Sequence, residues 1–269
     1  MIDVAIIGGG PAGISAALTL RQRGKSVTVI SADADQSHLA KAEKVDNYPG
    51  MVGMSGKEML DTMTRQAEEK DVWFMHGRAT TIMPMGESFG IAVGSEFVEA
   101  EAVILALGIS MGRPYPGETE FLGNGVSYCA TCDGMLYRSR NVAVIGLSSD
   151  ASEEAEFLKN IGCNVEYFDR SRAKSYEIRG EQTVNALIAD GVEYPVDGVF
   201  ILRSGVAPGL LMQGLKMANG AIETDRSMAT NFPGIFAAGD CTGTPYQLAK
   251  AVGEGNIAAL SAVKYLDNH

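Results

Sequence analysis

The sequence predicts an α/β fold in which one nucleotide-binding-type unit is inserted into another, and three observations carry that expectation. An apolar run at Val4–Ile7 leads through Gly8-Gly9-Gly10-Pro11-Ala12-Gly13 into helical spacing over 14–24 and a second apolar run at 27–30, a strand–turn–helix–strand order. A second strand–helix–strand pattern starts at Val142–Ile145, with a helix expected over 152–160 and a strand over 164–168. A third strand, 234–239, ends in Asp240 near the far end of the chain and precedes a helix predicted over 245–265.

Between these landmarks the pattern predicts a helix over 56–69, β-like stretches through 72–98, a strand over 102–106 and another at 199–202. Arg113-Pro114-Tyr115-Pro116-Gly117 and Ser204-Gly205-Val206-Ala207-Pro208-Gly209 have the composition of linkers. Two linkers around a middle unit place 113–204 as an insertion, with 1–112 and 205–269 together forming the first domain. The expected architecture is two Rossmann-like (three-layer ββα) nucleotide-binding-type domains, the second inserted in the first and degenerate.

Composition narrows the function class. The chain is 46% hydrophobic and 20% charged, as in globular proteins, and its formal net charge of −11 disfavours nucleic acid and anionic membranes as partners. No apolar run approaches the ~20 residues of a membrane-spanning helix. The start lacks a basic region and a cleavage site, so no signal peptide is expected. Four cysteines in a chain of this length are no disulfide framework, and a close pair among them suggests redox or metal chemistry in a reducing, cytoplasmic setting.

Gly8-x-Gly10-x-x-Gly13 allows a tight turn, close approach of bare backbone to a pyrophosphate, and close helix–strand packing. Pro11 and Ala12 complete the loop, and the N-terminus of the helix that follows faces the phosphates. No acidic residue for a ribose stands out: Ser31 ends the second strand, with Asp33 and Asp35 beyond it. Gly239-Asp240 puts one carboxylate at a strand tip, where cofactor hydroxyls or phosphate-bound water are held; alone it reads equally well as a cap.

Cys129-Ala130-Thr131-Cys132-Asp133-Gly134 carries the chemistry. Two cysteines at this spacing close a small disulfide ring and attack another disulfide by exchange, and Asp133 stands where a carboxyl shuttles a proton to the departing thiolate. Half a zinc site is the rival reading, but the three histidines, His38, His76 and His269, do not complete tetrahedral spacing, and no metal is expected. Cys163 and Cys241 read as buried packing thiols.

Over nearly its whole length the chain resembles the low-molecular-weight thioredoxin reductase family. The matches are the N-terminal loop, Val45-Asp46-Asn47-Tyr48-Pro49-Gly50, the strand and turn over 102–108, the dithiol hexapeptide, and 234–240. The resemblance implies FAD in the split outer domain, a homodimer, and thioredoxin as electron acceptor. It also implies roles: Cys132 beside the flavin, Cys129 attacking thioredoxin, Asp133 as the acid, and Asn47, Asp240 and Gln247 as FAD contacts.

Several features depart from the family. The second Gly-rich loop is replaced by Gly146-Leu147-Ser148-Ser149-Asp150-Ala151, and the basic cluster that reads a 2′-phosphate by Asp169-Arg170-Ser171. The middle segment is short, and Ser37-His38-Leu39-Ala40 stands where relatives carry a Gly-Gly-Gln-like flavin contact. Together these are similar to the ferredoxin-dependent flavin thioredoxin reductases that lack an NADPH site. Reduced ferredoxin is therefore the expected donor, since FAD collects single electrons and passes them on as a pair. The other readings are an NAD(P)H enzyme with a variant nucleotide site, a flavin thiol oxidase using oxygen, and a non-catalytic flavin redox sensor.

Overall fold

A computed structural model describes residues 1–32, 37, 39–108, 114–128, 130–148, 151–203 and 208–269, and of Cys132 the backbone alone. The chain divides into two compact units, Met1–Ser110 with Val206–His269, and Met111–Gly205.

The first unit opens with β1 (Ile2–Ile7), α1 (Pro11–Gln22) and β2 (Val27–Ser31). Val4–Ile7 are buried on both faces, as a central parallel strand requires, and β1 pairs in parallel with β2. Next comes α2 (Gly56–Glu68), started by a capping box in which Ser55 and Glu58 exchange side-chain and backbone hydrogen bonds. Then follow β3 (Trp73–His76), β4 (Ala79–Met85), β5 (Ser88–Val93) and β6 (Glu96–Leu105). The β-like run 72–98 is thus four strands, with tight turns between β4, β5 and β6.

The second unit contains β7 (Val126–Ser127), α3 (Ala130–Asp133), β8 (Asn141–Gly146), α4 (Ala151–Asn160) and β9 (Asn164–Phe168). It continues as β10 (Tyr176–Gly180), β11 (Val184–Ala189), β12 (Val192–Pro195) and β13 (Gly198–Leu202). A parallel sheet runs β7-β13-β8-β9, and β10-β11-β12 form a separate antiparallel sheet. Tyr115 does not behave as a linker residue. Its ring packs edge-on to Tyr176, and Pro116 accepts a hydrogen bond from the Ile178 amide, so this stretch is part of the second unit's core. Proline and glycine there serve a packed turn: at Gly117 a Cβ would lie 2.1 Å from the Ile178 carbonyl oxygen.

The chain returns to the first unit with α5 (Pro208–Leu211), β14 (Met217–Ala218), β15 (Ala221–Ile222), β16 (Ile235–Ala237) and α6 (Leu248–Leu266). Pro208-Gly209, read as linker, opens α5; Arg113 and 204–207 lie outside the described residues. The helix expected from Pro245 starts at Leu248 because Gln247, its N-cap, has extended backbone (φ −137°, ψ 138°). In the first unit's sheet the order is β3-β2-β1-β6, and β6 is long enough to serve two partners on its far edge. Its first half pairs antiparallel with β5, followed by β4, and its second half pairs in parallel with β16. One sheet face is covered by α1, α2 and α6, the other by residues of β4, β5 and the α5–β15 stretch.

Candidate active site

The Gly-rich turn joins β1 to α1, and its glycines have different reasons to be glycine. Gly8 has φ +117°, and a Cβ there would lie 2.1 Å from the Ala106 carbonyl oxygen. At Gly13 a Cβ would stand 1.9 Å from the Gly8 carbonyl oxygen. Those two are demanded by the protein's own packing. Gly10 is not: its φ of −80° suits any residue, and a Cβ would meet nothing within 4 Å. Gly10 is the N-cap of α1, Pro11 follows in the first turn, and no side chain caps the helix. The N-terminus of α1 therefore offers open space, backbone N–H groups and the positive end of a dipole, which together suit a pyrophosphate.

The second landmark lies in the same unit. Gly239, with φ +86°, follows β16, and Asp240 begins a short 3-10 turn. A side-chain network that sequence reasoning missed holds this turn. The Gly239 amide donates to Glu254 (2.9 Å), and Thr242 donates to Glu254 (2.9 Å) and to the Gly239 carbonyl (2.7 Å). Lys250 spans the gap, donating to the carbonyls of Gly239 (3.0 Å) and Gly243 (2.8 Å) and pairing with Glu254 (3.2 Å). The only signal available in sequence was the i,i+4 spacing of Lys250 and Glu254 on α6. α6 also comes very close to α1: at Gly255 a Cβ would lie 2.1 Å from the Ala12 carbonyl oxygen, and at Gly239 it would lie 2.9 Å from Ala12 Cβ. Ala12 is thus confined to a small side chain.

Asn47 and Gln247, two hundred positions apart, come together, with Asn47 Nδ2 donating to Gln247 Oε1 at 3.2 Å. Of the residues around the second strand, Ser31 closes β2, while Asp33, Asp35 and His38 lie outside the described residues.

In the second unit, Cys129 and the side chain of Cys132 are outside the described residues, but their surroundings are not. Ala130, Thr131, Cys132 and Asp133 form α3. The Asp133 carboxylate accepts from the buried Ser127 hydroxyl at 2.7 Å, and the Ala130 amide donates to Glu154 at 3.1 Å. Cys163 is buried, which pushes its thiol up, and it makes a long contact to the Gly134 carbonyl. Burial drives the Cys241 thiol up to about 11, and it donates to the carbonyls of Leu105 and Ala238 at 3.3 Å each. Both behave as packing residues.

The turn after β8, where a second nucleotide loop was expected to be degenerate, has its donors turned inward. The amides of Leu147 and Ser148 both donate to the Leu202 carbonyl, at 2.8 and 2.9 Å. The Tyr167 ring lies directly on Gly146, where a Cβ would fall 2.4 Å from its hydroxyl. Arg170 donates to the Leu147 carbonyl, and Arg172 pairs with Glu166 and lies over the Phe168 ring at 4.4 Å. Asp169 is held below its usual range by hydrogen bonds from the Ser171 hydroxyl and amide, and it caps its own turn. Ser149 and Asp150 are outside the described residues.

A glycine-lined helix N-terminus beside the sheet of one unit, and a Cys-x-x-Cys sequence that runs into α3 of the other, define a nucleotide-cofactor disulfide oxidoreductase. The chain belongs to the pyridine nucleotide-disulphide oxidoreductase family, whose description matches residues 2–175 and 170–255. It is 34% identical over 302 aligned positions to the thioredoxin reductase of Aquifex aeolicus, covering 98% of this chain and 93% of that protein. A ferredoxin-flavin thioredoxin reductase from Clostridium acetobutylicum has a crystal structure similar to this one, with a TM-score of 0.93 and 38% identity over 100% of this chain and 99% of that one. A thioredoxin reductase from Gloeobacter violaceus matches with a TM-score of 0.82 and 30% identity over 99% and 95%. The protein is a flavoprotein disulfide reductase with FAD as its cofactor.

Proposed function

We propose that this enzyme reduces the disulfide of thioredoxin through Cys129 and Cys132, with reduced ferredoxin rather than NADPH as the electron source. The observation that carries the donor assignment is the fate of the Leu147 and Ser148 amides. A nucleotide loop must aim such N–H groups at a phosphate, whereas here both are committed to the Leu202 carbonyl and Tyr167 lies on Gly146. Arg170 and Arg172, the cations that follow β9, are engaged with the protein itself. Length supports the same reading. The alignment to the Aquifex aeolicus enzyme spans 302 positions, of which this chain fills at most 269, so at least 33 of them have no counterpart here.

In this reading Gly8, Gly10, Pro11, Ala12 and Gly13 receive the FAD pyrophosphate. Gly239 and Asp240, with Asn47 and Gln247, hold the rest of the cofactor, and the Lys250–Glu254–Thr242 network fixes the turn that carries Asp240. When bound, FAD supplies the means of gathering single electrons and releasing them in pairs. The protein's own steps are thiol chemistry. Cys129 Sγ attacks one sulfur of the thioredoxin disulfide and the other sulfur leaves as a thiol. Cys132 then attacks Cys129 Sγ, which closes the enzyme disulfide and releases thioredoxin as a dithiol. Two electrons and two protons pass to thioredoxin. Asp133, oriented by the Ser127 hydroxyl, supplies a proton to a departing sulfur.

The family resemblance supports a cytoplasmic homodimer as the working species in this reading; among the described residues no helix is long and apolar enough to cross a membrane. Anaerobic turnover tests the donor: photoreduced ferredoxin should drive thioredoxin reduction, and NADPH at the same enzyme concentration should not. Oxygen uptake driven by a dithiol, with no transfer from ferredoxin, would instead make the enzyme a thiol oxidase.

A further inference from the structure

Immediately before the dithiol, the second unit contains a charged network with almost no access to water. The Glu118 side chain is fully buried and that of Arg203 is 6% exposed. The guanidinium gives one hydrogen bond to each carboxylate oxygen, at 2.5 and 2.9 Å. Each oxygen takes a second donor: the Tyr128 hydroxyl at 2.7 Å on one and the Tyr115 amide at 2.8 Å on the other. The same guanidinium lies 5.1 Å from the centre of the Tyr115 ring. Burial and the adjacent carboxylate push the Tyr128 hydroxyl well above its usual range, so it stays protonated and remains a donor.

A buried ion pair is a poor source of net stability, because desolvation offsets most of the attraction. Its value here lies in what it ties together. Tyr128 directly precedes Cys129 in the chain. On the other side of Cys129, the Ala130 amide is fixed on Glu154. We propose that Glu118, clamped by Arg203, is a positioning residue for Cys129: it anchors the Tyr128 hydroxyl and thereby the backbone entering the dithiol, opposite the anchor that Glu154 gives to Ala130. This rests on the reading of Cys129 as the thiol that attacks thioredoxin.

Two variants test it in the flavin-loaded enzyme. Tyr128→Phe removes one hydroxyl while Glu118 retains Arg203 and the Tyr115 amide. Glu118→Leu with Arg203→Met removes the whole clamp without leaving an unpaired buried charge. The first readout is the alkylation rate of Cys129 by iodoacetamide after reduction with dithiothreitol, in a Cys132→Ser background; it needs neither ferredoxin nor thioredoxin. The second is the split between kcat and KM with ferredoxin and thioredoxin. Both variants should shift the alkylation rate and lower kcat by about tenfold, the scale of effect expected when a reacting group is misplaced. The flavin spectrum and the KM for ferredoxin should not move. If ferredoxin fails to drive the unsubstituted enzyme, the donor assignment falls while the alkylation readout still decides this proposal. Unchanged alkylation and unchanged kcat in Tyr128→Phe would overturn it.

Discussion

Alanine at Gly10 and alanine at Gly13 should damage different things, and the contrast tests the placement of the cofactor. At Gly13 the new methyl would stand 1.9 Å from the Gly8 carbonyl oxygen and 3.2 Å from Ile6 Cγ2, so the backbone must move. Overpacking of that kind costs about 3 kcal/mol or more, and it appears in the protein without flavin. At Gly10 the backbone is open to alanine and the methyl meets nothing within 4 Å. The cost without flavin is then the weaker N-cap preference of alanine, about 0.5–1 kcal/mol. With FAD bound the same methyl enters the space assigned to the pyrophosphate. An overpacking cost of about 1–3 kcal/mol weakens binding by about 5–150-fold at 1.4 kcal/mol per decade. Urea unfolding of the flavin-free proteins and fluorescence titration with FAD measure the two quantities separately. A Gly10→Ala protein with unaltered FAD affinity would refute the placement, and a Gly13→Ala protein of unaltered stability would refute the packing argument.

Three further outcomes follow from the same geometry. Cys129→Ser should abolish thioredoxin reduction while flavin stays bound and reducible, which a spectrum and a turnover assay on one preparation will check. Arg203→Met leaves the Glu118 carboxylate buried without its main partner and should cost about 3–5 kcal/mol at neutral pH by urea denaturation. Burial alone would raise the Glu118 carboxyl, but the Arg203, Tyr115 and Tyr128 bonds outweigh it and hold the group below its ordinary 4.5, so its contribution is present above that pH and lost as pH falls through the folded value. The stability gap between Arg203→Met and the unsubstituted protein should therefore narrow below pH 4.5, and a gap constant from pH 7 to pH 3 would contradict the assignment. Cys241, pushed to about 11 and buried, should resist iodoacetamide at pH 8 in the folded protein and react on unfolding, as peptide mapping can show.

What the sequence made legible was local. The run Val4–Ile7 and the glycines after it need only neighbours in the chain, and β1, the turn and α1 appear in the expected order, although α1 starts at Pro11, three residues before the expected 14, because proline suits a helix's first turn. β9 occupies 164–168 as expected because Asn164–Phe168 is bounded by a glycine-containing turn and a charged one. What stayed hidden depends on partners far along the chain. Glu118 and Arg203 are 85 residues apart, and nothing near either of them marks a buried pair. The Gly146–Ala151 segment looked unsuited to a nucleotide because of its side chains. The capture of two amides by the Leu202 carbonyl comes from β13, 55 positions beyond Leu147, and leaves no local pattern. Tyr115-Pro116-Gly117 was misread for the opposite reason: its composition matches a linker, yet the residues it packs on, Tyr176 and Ile178, come much later.

The central claim, that electrons enter from ferredoxin and leave through the Cys129–Cys132 dithiol, is tested most directly by anaerobic stopped-flow absorbance of the oxidised flavin. One syringe holds the enzyme, and the other holds either NADPH or chemically reduced ferredoxin. Fast flavin bleaching by ferredoxin with none by NADPH is the predicted result. Fast bleaching by micromolar NADPH would contradict it, because the Leu147 and Ser148 amides would then have to leave the Leu202 carbonyl to receive a nucleotide.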